Sequence, residues 1–177
     1  MSSWLAIVAL GAPAIGVAQQ PENTPESLTT QHPWIGQPAP VVQVVPPETL
    51  SVAPGVASEA EIRITVAKGY HVQANPAANQ FLIPLTLTFD SGDDFEVGDI
   101  RYPPGELYRL QGADEDLLVY GGRFAVSVSV RVSAAVREGA VAAHGRLRYQ
   151  ACDDRLCLAP ATLVFDLTAR VESASVP

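Results

Sequence analysis

The stretch Phe124-Ala125-Val126-Ser127-Val128-Ser129-Val130-Arg131-Val132 decides the fold. Apolar side chains occupy every second position, with Ala125, Ser127, Ser129 and Arg131 between them. Successive side chains of a β-strand point to opposite faces, so a period of two marks a strand with one face in a core and the other turned outward. Working outward, the same pattern recurs. Ile62, Ile64 and Val66 alternate with Glu61, Arg63 and Thr65, and Lys68-Gly69-Tyr70-His71-Val72 continues after a glycine. Phe81 to Phe89 alternates through Leu85 and Leu87, and Ser91-Gly92-Asp93-Asp94 is a turn. Val41 to Val45 is apolar and β-branched, Ile100 to Tyr102 is short and closed by Pro103-Pro104-Gly105, and Glu106 to Leu118 is irregular and acidic. Val141 to Tyr149 and Leu163 to Val171 complete a set of about seven or eight strands, with no helical period. The expected fold is all-β, an immunoglobulin-like antiparallel β-sandwich.

Composition agrees. The 177 residues are 47% apolar, enough for one domain with a buried core, and 15 prolines and 13 glycines suit a chain of many turns. A net charge of −8 argues against nucleic acid and anionic membrane surfaces, which call for basic patches. Residues 1–18 carry no charged side chain; Trp4 to Val17 is mostly apolar and Gly16-Val17-Ala18 precedes a polar stretch, as in a secretory signal peptide, although no Lys or Arg precedes the apolar run. As an uncleaved anchor those fourteen residues, broken by Gly11 and Pro13, are short against the roughly 20 of a membrane span. Export is expected. Residues 19–40 read as a proline-rich linker, 41–172 as the domain and 173–177 as a tail.

Both cysteines lie in Tyr149-Gln150-Ala151-Cys152-Asp153-Asp154-Arg155-Leu156-Cys157-Leu158-Ala159-Pro160, with four residues between them. A bridge needs Cα atoms within about 7 Å, so the chain must turn back on itself here, at a hairpin tip between Gly145–Tyr149 and Ala161–Thr168. A structural disulfide is one reading. So short a loop adds only about 2 kcal/mol in the chain-entropy picture, however, and a bridge at an exposed turn exchanges easily. The stretch therefore reads as a redox site. Asp153 and Asp154 disfavour a thiolate and Arg155 favours it, and His71 or His144 is free to approach in space. A metal reading would join the cysteines to a histidine around Cu(I) or Zn(II), but Met1 is the sole methionine, which removes a Met-rich copper site. No G-x-S-x-G or H-E-x-x-H motif supports hydrolysis.

The cysteine stretch resembles the active-site segment of the N-terminal periplasmic domain of DsbD, the thiol:disulfide interchange protein: a Tyr-Gln-small-Cys start, a few residues, then a second Cys followed closely by proline. Lys68-Gly69-Tyr70-His71-Val72, Ile100-Arg101-Tyr102-Pro103 and Val119-Tyr120-Gly121-Gly122 resemble further strands of that family, and the similarity spans about Val41 to Val171. The resemblance implies an immunoglobulin-like fold with the cysteines at one end. It implies that Cys152 and Cys157 are a redox pair passing electrons, with no cofactor, between a membrane thiol reductase and thioredoxin-fold periplasmic proteins. A monomer is expected. It further implies a cap loop with an aromatic residue over the disulfide, sought between Glu106 and Leu118, where Tyr108 is the aromatic. His71 and Gln73 fall where the family has supporting tyrosines, with Tyr70 a substitute; Tyr149, Asp153, Asp154 and Arg155 complete the candidate site. Full-length relatives carry a multi-span membrane domain and a thioredoxin-like domain; this chain ends at Pro177 with neither, and the expectation is a stand-alone form. The alternative is an immunoglobulin-like binding module whose disulfide only holds a loop.

Overall fold

The computed structural model describes residues 40–110 and 115–171. The expected signal peptide, nearly all of the linker, and the tail lie outside the described residues. Twelve β-strands and no helix are found among those described, and none of them belongs to a helix long and apolar enough to cross a membrane. Two four-stranded sheets form an immunoglobulin-like sandwich. In the first, β1 (Val42–Val45), β3 (Ala57–Val66), β9 (Arg123–Val132) and β6 (Phe95–Arg101) lie in that order, all antiparallel. In the second, β2 (Leu50–Val52), β12 (Ala161–Val171), β10 (Gly139–Tyr149) and β5 (Thr86–Asp90) lie in order, with β2 parallel to β12 and the other pairs antiparallel.

The alternation seen in the sequence is the alternation of burial. Ile62, Ile64 and Val66 of β3 and Val126, Val128, Val130 and Val132 of β9 are buried, while Glu61, Arg63 and Arg131 are exposed. Leu87, Ala143, Leu147, Leu167, Ala169 and Val171 come from the second sheet into the same core. Each large aliphatic side chain buried this way contributes about 1.5–3 kcal/mol, so this interior holds the domain together. Phe124 sits at the margin, half-buried and stacked on Tyr120 with ring centroids 4.6 Å apart.

A third sheet was not visible in the sequence: β11 (Ala151–Cys152), β4 (His71–Gln73), β8 (Leu117–Tyr120) and β7 (Glu106–Tyr108), in that order. The segment read as irregular, Glu106 to Leu118, supplies two antiparallel strands of it, with Leu107 opposite Leu118. Phe81 departs from its expected strand. The strand begins only at Thr86, after Pro84, which has no N–H to give a ladder, and Phe81 is 86% exposed.

Two glycines position this sheet. Gly69, with φ of 86°, closes the turn between β3 and β4, where the Tyr70 N–H donates to Ala67 O at 3.1 Å. Gly105 passes so close to β4 and β8 that a Cβ there would lie 2.6 Å from the Ala74 Cβ. Tyr120 adds a further tie: its hydroxyl donates to Pro103 O at 2.8 Å and accepts from the Asn75 N–H at 3.2 Å.

Candidate redox site

Strands β10 and β12 pair along their whole length, ending at Tyr149 opposite Ala161. Their connection leaves the second sheet. Ala151 and Cys152 pair instead with Val72 and His71 of β4. The chain then folds back sharply: the Asp153 N–H donates to Leu156 O at 3.0 Å, and the Leu158 N–H donates to Ala151 O at 2.8 Å. Cys152 and Cys157 face each other between those two bonded pairs. That is the non-hydrogen-bonded position, where antiparallel strands come closest, about 4.5 Å between Cα atoms. Here the Cα atoms are 3.9 Å apart and the sulfurs are bonded to each other. The hairpin tip expected from the spacing is present, as a small hairpin within the β10–β12 connection.

Asp153 is spent on this turn. Its Oδ1 accepts from the backbone N–H of Arg155 at 2.7 Å and of Leu156 at 2.8 Å, the Asx arrangement that fits a tight reversal. Those two N–H groups, Leu156 first, hold its carboxyl below the usual aspartate range. The side chain of Gln150 closes the base of the loop by donating to Leu158 O at 3.0 Å.

The floor of the site is β4. Val72 points into the core, so His71 and Gln73 share the opposite face, and both are buried. Tyr108 of β7 lies on the His71 ring, centroids 4.3 Å apart and planes tilted by 37°, and its hydroxyl donates to Asp154 Oδ1. That bond pushes the Tyr108 hydroxyl up. Burial pulls the His71 pKa down, opposed by the charges of Asp154 and Asp153. A neutral imidazole is the favoured form. The aromatic sought between Glu106 and Leu118 is thus at the cysteine loop, over His71 and Asp154. The two cysteines differ in exposure: Cys152 is 3% exposed, whereas Cys157 is an exposed residue.

A cleft of about 350 Å³ borders the disulfide on the side of His71 and Gln73 and is walled by Leu82, Leu110, Leu117 and Leu156, with Arg155 at its edge. Two larger grooves, of about 480 and 430 Å³, lie on the outer faces of the sandwich sheets beside Arg63 and Phe124, and beside His144 and Phe165. Neither is lined by a cysteine, and of the three it is the smaller cleft that borders the disulfide.

The remaining candidates take other places in the fold. Tyr149 is a core residue at the end of β10, its hydroxyl pushed up by burial. Tyr70 packs half-buried against the core. His144 is on the outer face of β10, 2.6 Å from Asp166 Oδ1, and does not approach the disulfide. Among the described residues no three of His, Cys, Asp or Glu converge as a metal-binding group. The sequence reading missed Leu82, Leu110 and Leu117; three separated segments supply them, and no local pattern marks them.

No curated protein matches the chain. Among solved structures, it is similar to the N-terminal periplasmic domain of ScsB from Proteus mirabilis, at 11% identity and a TM-score of 0.48, over 71% of this chain and 44% of that one. It is also similar to a family 123 glycoside hydrolase from Clostridium perfringens, at 12% identity and a TM-score of 0.34, over 73% of this chain and 23% of that one. A third likeness is to the periplasmic chaperone SfaE, at 9% identity and a TM-score of 0.30, over 77% of this chain and 59% of that one. The chain thus spans less than two thirds of each of these proteins. Residues 41–169 match the family described as "Thiol:disulfide interchange protein DsbD, N-terminal", a span that runs from β1 into β12 and contains the bonded cysteine pair. The chain belongs to the DsbD N-terminal domain family.

Proposed function

We propose that the chain is a periplasmic thiol–disulfide exchange domain, relaying electrons through Cys152 and Cys157 between a membrane thiol reductase and thioredoxin-fold proteins. The observation that carries this is the unequal exposure of the two bonded cysteines, Cys152 buried and Cys157 exposed, in a loop of so few residues. A partner thiolate attacks the Sγ of the exposed residue Cys157. A new S–S bond forms to the partner, the Cys152–Cys157 bond breaks, and Cys152 Sγ leaves with the electron pair and takes up a proton. Attack by a second partner thiol on the mixed disulfide completes a two-electron reduction. In the forward relay the steps reverse: the Cys157 thiolate attacks a partner disulfide and Cys152 resolves the mixed species. The electrons reside in the cysteines, so the chemistry calls for no cofactor. Family membership supports exchange as the activity, and Tyr108, His71 and Asp154 form the supporting wall.

Trapping tests the assignment. Cys152→Ala leaves the exposed thiol without its resolving partner and is expected to accumulate mixed disulfide with a thioredoxin-fold protein, at least about tenfold more than Cys157→Ala, whose remaining thiol is buried. Equal trapping by the two variants, or none by either, counts against the proposal.

A further inference from the structure

Gln73 is out of place on thermodynamic grounds. It is 3% exposed, and its Oε1 is buried with no hydrogen-bond partner. Folded proteins pair nearly all such atoms, because an amide oxygen taken out of water and left unpaired destabilises the fold. The strand has no need of it. The backbone O of Gln73 already accepts from the Leu85 N–H at 2.9 Å, and an aliphatic side chain of similar size would fill the position without an unpaired atom. What Gln73 has is position: it borders the cleft that also contains Cys152 and Cys157, beside a wall of leucines.

A molecule that brings a thiol to Cys157 and fills this cleft must satisfy both surfaces. It needs a hydrogen-bond donor close to its sulfur and an apolar group beyond it. A cysteine inside a polypeptide has both, since backbone N–H groups lie within one residue of its Sγ and a neighbouring side chain can be aliphatic. We propose that Gln73 Oε1 accepts a hydrogen bond from a backbone N–H beside the partner's reacting cysteine, while an aliphatic side chain of that segment enters the cleft between Leu82, Leu117 and Leu156. This rests on the exchange reading above and adds the chemistry by which the site selects its partner. The bond-making is unchanged: the partner thiolate bonds to Cys157 Sγ, and Cys152 Sγ departs with the electron pair and is protonated. Gln73 touches only the carrier of the thiol, so it is a positioning residue.

Rates of reduction, expressed per thiolate, test this with three probes on the full chain and on Gln73→Leu: mercaptoethanol, the peptide acetyl-Leu-Cys-Leu-amide, and the same peptide N-methylated at the cysteine and the residue after it. The native chain is expected to react faster with the unmethylated peptide than with mercaptoethanol. Gln73→Leu is expected to lower the peptide rate roughly three- to tenfold, the worth of one hydrogen bond, and to leave the mercaptoethanol rate and the melting temperature no lower than native. N-methylation is expected to cost the native chain a similar factor beyond what it costs the variant, the signature of a pairwise contact. Equal methylation penalties in the two proteins, or a variant that slows mercaptoethanol as much as peptide, overturn the inference and leave exchange standing. A disulfide inert to mercaptoethanol and peptide alike overturns both.

Discussion

Reducing the disulfide is expected to leave the domain folded, and the cost can be worked from the loop. Cys152 and Cys157 are five residues apart, and closing so small a loop in the unfolded chain removes entropy worth about 2 kcal/mol. The folded loop does not depend on the bond for its shape. The Asp153 N–H to Leu156 O and Leu158 N–H to Ala151 O bonds remain, as do the two N–H groups held by the Asp153 carboxylate. No strand of the sandwich is joined to another through the cysteines. For a domain of intermediate size, about 2 kcal/mol corresponds to a drop in melting temperature of roughly 6–12 °C. By linkage, the fold favours the bond over the same pair in the unfolded chain by that amount, about 40 mV for a two-electron couple. Thermal unfolding followed by near-ultraviolet circular dichroism, with and without a phosphine reductant, measures the first quantity. Equilibration with glutathione or dithiothreitol buffers measures the potential, expected above the roughly −300 mV typical of structural bridges. Loss of the folded state on reduction, or a potential well below that figure, would show a staple and refute the reasoning.

Two further outcomes are expected. Gly105→Ala sets a methyl group against the Ala74 Cβ at 2.6 Å, and because Ala74 is buried and has no side-chain freedom, backbone must shift; the cost is about 1–3 kcal/mol, and hydrogen exchange should quicken first at Leu107 and Tyr108. His71 gives stability a sign in pH. Burial lowers its folded pKa, so the unfolded chain, with a value of about 6.5, binds the proton more readily; the contribution is complete above that pH and is lost as pH falls toward the folded value, with Asp153 and Asp154 softening the loss. Denaturant titrations from pH 7.5 to 5 on the native chain and on His71→Gln check this: the variant should show a shallower slope, and identical slopes would remove His71 from the account.

The sandwich was legible because its strands are long enough to show a period. Ten residues of β9 and ten of β3 give several turns of the in–out pattern, and the structure buries the valines and isoleucines that pattern selected. The cysteine hairpin was legible for a different reason: covalent geometry forces a reversal whatever the surroundings. The third sheet escaped both signals. β4 and β7 have three residues each and β11 two, too few for any period, and they are held by partners far along the chain. Pro103, Pro104 and the acidic run after Gly105 read as loop, yet Leu117 to Tyr120 supplies the ladder that makes Glu106 to Tyr108 a strand. The wrong start at Phe81 has a different root: alternation was counted through Pro84, which cannot donate to a ladder.

The division between the parts of the sequence that could be read and those that could not follows the division of labour in the fold. Long alternating strands bury the large aliphatic side chains and supply the stability, and their pattern is set by water alone. The candidate site stands elsewhere, on the short third sheet and the cysteine loop beside the sandwich: an exposed cysteine, a buried imidazole held near Asp153 and Asp154, and an amide oxygen without a partner. Each of these is unfavourable or reactive by itself. Were any placed between β3 and β9, it would cost the packing on which the whole domain depends. On a small sheet with short ladders, local opening need not disturb the core, and the interactions that hold the site are few and separable: Tyr108 on His71, Gly105 against Ala74, and the Tyr120 hydroxyl on Pro103. Such groups are best tolerated on the part of the fold that can yield without unfolding the rest.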